Sequence, residues 1–232
     1  MKFIKLDQYD QKAKLYPALA TLPPILLLNY FYLQLLLGDF IFAMLGVIIG
    51  EVSLAVVFVY LLMEINRFIA KMLIEKRQFN NELMMPTTDF LLYNNSAYSA
   101  EYKNKIRMKI AHEFKFVWSS KQAEVTNEFA TRKSISEVVS QVRTKMKKGR
   151  LILQHNIQYG LARNLIGGAY IALIVATLDY IIFMLISPNQ IAAIISFLFI
   201  IIYGFIIVFR KYILSELGKN YARVLFQEYL AS

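Results

Sequence analysis

The sequence has no cysteine, two histidines, one tryptophan and five prolines, and only 18% of its 232 residues are charged. Each shortage removes a class of chemistry. Without thiols there is no disulfide, thiolate metal site, cysteine nucleophile or S-acylation. His112 and His155 stand far apart, and His112-Glu113 is not followed by a second histidine at zincin spacing, so no metal site is expected. Gly167-Gly168 is not followed by Lys-Ser/Thr, no other glycine-rich phosphate loop occurs, and no Gly-x-Ser-x-Gly elbow is present. The expectation is a protein that is not an enzyme and carries no cofactor.

What fills the space is hydrocarbon. Apolar residues make up 57% of the chain, against roughly 45–50% in soluble domains. They gather in four blocks nearly free of charge, at residues 22–37, 40–63, 165–186 and 191–209. A helix needs about 17–25 such residues to cross the hydrocarbon core of a bilayer. The fold class expected is therefore all-α: an integral membrane protein with four transmembrane helices as two hairpins and a helical cytoplasmic domain. The divisions are an amphipathic N-terminal helix (1–21), a first transmembrane hairpin (22–63), a cytoplasmic helical domain (64–164), a second transmembrane hairpin (165–209) and a cytoplasmic C-terminal helix (210–232). A charged stretch precedes the first block, which runs straight into a second, so it reads as a retained signal-anchor and not as a cleaved signal.

Basic residues set the orientation. Lys2, Lys5, Lys12 and Lys14 lie in the N-terminal tail, and Arg210, Lys211, Lys219 and Arg223 lie in the C-terminal tail. The remaining 18 of the 26 fall between Arg67 and Arg163. The turns at Gly38-Asp39 and at residues 187–190 have none. The positive-inside rule then puts both termini and the long loop in the cytoplasm. Eighteen basic against nine acidic residues in the loop, including Lys145, Lys147, Lys148 and Arg150, suit an anionic inner leaflet. Nucleic acid is a weaker partner on these grounds, because no binding motif accompanies the charge.

Local patterns refine the helices. Leu6, Tyr9, Ala13, Tyr16 and Ala20 recur at three- and four-residue steps among lysines, the mark of an amphipathic helix. Pro23-Pro24 is expected to break or kink the chain. The second span is expected to continue through Arg67, Lys71 and Glu75 and to end before Asn80-Asn81. Pro86-Thr87-Thr88 marks a break that caps a short apolar turn. Tyr102, Ile106, Ile110 and Phe114 form a helical stripe. Ser134-Ile-Ser-Glu137 matches a capping box opening a helix with Val138, Val142 and Met146 on one side. A long helix is expected to run from Arg150 into the third span, and no sheet is expected.

Three groups are candidate sites. Asn29, Glu51 and Asp179 are polar residues at comparable depth in the spans, with no basic residue there to pair with the acids. They read either as a hydrogen-bonded lock, with a protonated carboxyl bonded to Asn29 or backbone, or as an ion or proton pathway. His155, Asn156, Tyr159, Arg163 and Asn164 mark a polar face beneath the third span. It reads either as interhelical hydrogen bonding to Tyr9, Asp10 or the Pro86 turn, or as a site for a phosphate-bearing ligand anchored by Arg163. Gly46 and Gly50 make a Gly-x-x-x-Gly match for close helix packing.

Tyr9-Asp10 to Tyr16-Pro17, Pro86-Thr87-Thr88 and the run from Asn156 to Asn164, in a layout of hairpins around a cytoplasmic helical domain, resemble small four-span bacterial membrane proteins of the anti-phage membrane-effector type. The resemblance implies an oligomeric inner-membrane effector or channel-like protein that disturbs the membrane after a cytoplasmic cue. A nucleotide signal or a protein partner would deliver that cue, and a homo-oligomer is expected. The alternatives are a non-conducting scaffold or sensor that recruits a cytoplasmic partner and, third, a small transporter.

Overall fold

The computed structural model describes residues 7–33 and 51–232, and no strand occurs among them. Helix α1 (Tyr16–Leu28) lies between two π-helical segments, Asp10–Leu15 and Asn29–Leu33. Helix α2 (Glu51–Ile69) runs on through a π-helical stretch, Ala70–Glu75, and a short turn, Lys76–Gln78. A one-turn helix, Pro86–Asp89, precedes α3 (Ala100–Phe114), α4 (Lys121–Thr126) and α5 (Glu128–Lys145). Helix α6 (Arg150–Ile181) ends in the π-helical segment Ile182–Ile186, and α7 (Gln190–Val208) and α8 (Arg210–Ala231) complete the chain. The chain divides into two compact units. One comprises Met1–Met72 and Gly160–Lys211, the other Leu73–Tyr159 and Tyr212–Ser232.

The first unit exposes much apolar surface. Among the described residues, two stretches, Arg150–Ile186 (begun in the other unit) and Gln190–Val208, are long and apolar enough to cross a membrane. Helix α7 holds no charged residue and leaves Ile191, Ile194, Leu198, Ile201, Phe205 and Val208 exposed. Its buried side is made of small or hydrogen-bonding residues, Ala192, Ala193, Ser196 and Tyr203. That distribution inverts the pattern of a water-soluble helix.

Proline does not break α1. Pro23 and Pro24 lie inside it, contrary to the kink or break expected of them. Pro24 has no N–H to offer the carbonyl four residues back, which is that of Ala20. The hydroxyl of Tyr203 on α7 donates to that carbonyl at 2.6 Å. A side chain from a neighbouring helix thus replaces the missing backbone donor.

Helices α2 and α6 approach closely through glycine. A Cβ at Gly167 would collide with the backbone carbonyl oxygen of Asn66 and lie 3.0 Å from the backbone nitrogen of Ala70. Backbone cannot swing aside as a side-chain tip does. Gly167→Ala is therefore expected to lower stability by about 1–3 kcal/mol, read as a fall in the thermal midpoint in detergent. Gly204→Ala is the control, because a Cβ there meets nothing within 4 Å and alanine favours the helix by up to about 1 kcal/mol. The Gly46 and Gly50 contact expected from sequence lies outside the described residues.

The second unit has a conventional hydrophobic core. Ile106 and Ile110 of α3, Val138, Val139 and Val142 of α5, and Leu225, Phe226 and Tyr229 of α8 are buried together, with Phe90 and Leu91 above the short Pro86 helix. Each such side chain contributes about 1.5–3 kcal/mol of burial. Tyr102, Phe114 and Met146 pack against this core, as the helical stripes predict. The extension of α2 stops where Asn80, Asn81 and Glu82 all take positive φ, at 45°, 54° and 74°. Three successive left-handed residues cannot continue a right-handed helix.

Helix α5 starts earlier than its capping-box match suggests. Its cap is Asn127, whose side chain accepts the N–H of Ala130 at 3.2 Å. Ser134 lies within the helix, and its hydroxyl donates back to the Ala130 carbonyl at 3.1 Å. The Ser-x-x-Glu spacing also suits two neighbours on one helical face, so the motif alone does not distinguish a start from an interior.

Candidate functional site

In the first unit the polar groups sit where α1, α2 and α6 meet. Asn66, fully buried on α2, donates from Nδ2 to the Thr21 hydroxyl at 2.9 Å, and Thr21 donates to the Pro17 carbonyl at 2.9 Å. Asn164, fully buried on α6, donates from Nδ2 to the Ala13 carbonyl at 2.6 Å, inside the π-helical segment. Arg163 donates from Nε to the Asn164 side-chain oxygen at 3.3 Å. The Tyr9 hydroxyl lies against Gly160. This part of the polar face on α6 is thus a hydrogen-bonded seam with the N-terminal helix.

Asp179 is different. It is 0% exposed, and neither carboxylate oxygen has a hydrogen-bond partner. It shares a buried stripe of α6 with Ala172, Ala176 and Phe183, at steps of four, three and four residues. Alanine and phenylalanine offer it no donor. The carboxyl is therefore buried without a partner on a helix long and apolar enough to span a bilayer, where several kcal/mol stand against an isolated charge.

The other residues expected near it are placed as follows. Asn29 is exposed at the start of its π-helical segment and does not bond to Asp179. Glu51 opens α2, and its side chain lies outside the described residues. Of the polar face below, His155 is half-buried and Asn156 exposed. Tyr159 is buried and donates to Glu75 at 3.0 Å. These three belong to the second unit, and Arg163 and Asn164 to the first. The five residues are one helical face in sequence but are divided between two units.

The second unit contains a group of buried charges that sequence reading did not single out. Lys103 donates its ammonium to the carbonyls of Leu92, Tyr93 and Asn95 at 2.6, 3.3 and 2.5 Å. Arg107 stacks its guanidinium 3.7 Å from the Tyr93 ring centre and 4.3 Å from that of Trp118. Burial lowers the pKa of both, with Arg107 adding to the effect on Lys103. Arg132 donates from Nε to Glu128 at 2.6 Å, from one terminal nitrogen to the Leu83 carbonyl at 3.1 Å and from the other to Asp89 at 3.1 Å. Glu124, 3% exposed, accepts the Tyr93 N–H on one oxygen at 2.7 Å, and its other oxygen has no partner. Asp89, Glu124, Glu128 and Arg132 line one cleft of about 350 Å³. These residues lie on separate elements with no common spacing. No signal in the sequence marked them out.

No group of three or more histidine and acidic side chains among the described residues is arranged to hold a metal ion. No family model, no curated protein and no solved structure matches this chain.

Proposed function

We propose that the chain is a four-span protein of the bacterial inner membrane, with both termini in the cytoplasm, acting as an oligomeric effector or channel-like protein. In this reading its basic helical unit receives the cue, a nucleotide signal or a protein partner, and the spans respond. Three observations support it. The exposed side of α7 is apolar along its length, every basic residue lies in the tails or the long middle segment, and the unit opposite in character is helical and basic.

The observation that carries the reading is Asp179. A buried carboxyl without a partner lowers stability, and such residues mark ion pathways and proton relays in membrane proteins. Reconstitution into vesicles of phosphatidylethanolamine and phosphatidylglycerol tests it. Proton or potassium flux is expected from the wild type and should fall at least about tenfold in Asp179→Asn at equal incorporation. Flux unchanged by Asp179→Asn rules out this carboxyl as a conducting group. One observation favours the runner-up, a non-conducting scaffold or sensor: Asp179 is sealed within a single chain. Absence of flux from wild-type oligomers would select that reading.

A further inference from the structure

The cleft in the second unit has a charge opposite to its surroundings. That unit carries 17 Lys and Arg against 10 Asp and Glu, yet the cleft is lined by three carboxylates, Asp89, Glu124 and Glu128, and one guanidinium, Arg132. Most of these groups are committed. Arg132 has a partner at each of its three nitrogens. Asp89 accepts Arg132 on one oxygen and the Asn95 amide on the other at 2.6 Å. The uncommitted buried group is the second oxygen of Glu124.

We propose that this cleft binds an aliphatic cation, an alkylammonium or alkylguanidinium group that donates to Glu124. Lys103 and Arg107 act on the Glu124 charge from nearby, but neither donates to its free oxygen. The Lys103 ammonium is used on three carbonyls. The Arg107 guanidinium lies flat against Tyr93 and Trp118, and its two terminal nitrogens make no hydrogen bond. A buried carboxylate oxygen without a donor is a costly arrangement that a bound N–H relieves. Leu92 and Val125, also in the lining, offer apolar surface for a short alkyl stem. An anion would face three carboxylates and an arginine already paired. The volume of about 350 Å³ suits a molecule of amino-acid to polyamine size. This inference stands apart from whether the spans conduct.

Two sources present this chemistry: a free amine or guanidine, and a basic side chain of a partner protein. Titration calorimetry on the full-length protein in detergent separates them, with agmatine and spermidine as free cations and N-acetyl-Gly-Arg-Gly-amide as the peptide. At least one probe is expected to bind, and its affinity to fall at least about tenfold in Glu124→Gln. Val125→Trp, at an exposed position that fills the cleft, should do the same without touching the buried charges. Tighter binding of agmatine or spermidine assigns the site to a free cation, and tighter binding of the peptide to a partner's side chain; either upholds it. No binding of any cation at about 10 mM, binding unchanged in both variants, or inorganic phosphate binding in place of the cations would overturn it.

Discussion

Asp179→Ala is expected to raise the thermal midpoint of the purified protein while removing the proposed conductance. The stabilising term is the carboxyl itself, since a buried polar group without a hydrogen bond costs about 1–3 kcal/mol. Alanine removes that group and is the better helix former by about half a kcal/mol. Against this stands a small cavity, worth less than about 1 kcal/mol for so few atoms. The net gain is about 1–2 kcal/mol. A substitution that stabilises the fold and abolishes activity is the signature of a group retained for function. Thermal unfolding followed by circular dichroism in detergent measures the first effect, and vesicle flux the second. A loss of more than about 2 kcal/mol would mean that the carboxyl contributes to the fold and is not retained at a cost to it.

Arg132→Ala is expected to have a large effect on the second unit, a loss of about 1–3 kcal/mol, because the Leu83 carbonyl loses a donor while Asp89 and Glu128 are partly exposed to water. The side chain is buried and joins Glu128 on its own helix to Leu83 and Asp89, more than 40 residues away in sequence. Its removal leaves the Leu83 carbonyl without this donor and strips Asp89 of its cation. Arg132→Lys keeps the charge but not the planar fork, so it should retain only part of the stability. Hydrogen exchange across residues 83–95 and 121–132 is the measurement. Strong loss of protection there, with the apolar helices α6 and α7 unchanged, is the result expected. Uniform protection in Arg132→Ala would show that the Leu83 and Asp89 groups find other partners.

The elements governed by periodicity were legible in the sequence. Ile106, Ile110, Val138 and Val142 repeat at helical steps and are buried together, and the stop at Asn80-Asn81 coincides with left-handed backbone. The continuous helix from Arg150 follows from a long, increasingly apolar run without proline, even though Gly160, Gly167 and Gly168 lie within it. What escaped reading depends on groups brought together only by folding. Pro23-Pro24 stays helical because Tyr203, some 180 residues away, donates to Ala20. Ser134 resembles a cap because the same spacing serves a helix interior.

The candidate sites divide in the same way. Asp179 was visible as a charge in an apolar run, but its lack of a partner and the exposure of Asn29 were not. The face from His155 to Asn164 is continuous in sequence and is divided between the two units. The cleft at Glu124 and Arg132 has no sequence signature, because its residues come from separate elements with no shared period.

The absence of cysteine makes the topology directly measurable, because any introduced thiol is the only one present. Single substitutions Gly38→Cys, Asn189→Cys, Lys147→Cys and Ser232→Cys can be probed in intact cells with a membrane-impermeant maleimide. Four spans with both termini inside predict that Gly38→Cys and Asn189→Cys label from the periplasmic side. Lys147→Cys and Ser232→Cys should label only after the inner membrane is permeabilised. Labelling of Asn189→Cys and Ser232→Cys from the same side of an intact membrane would contradict the account.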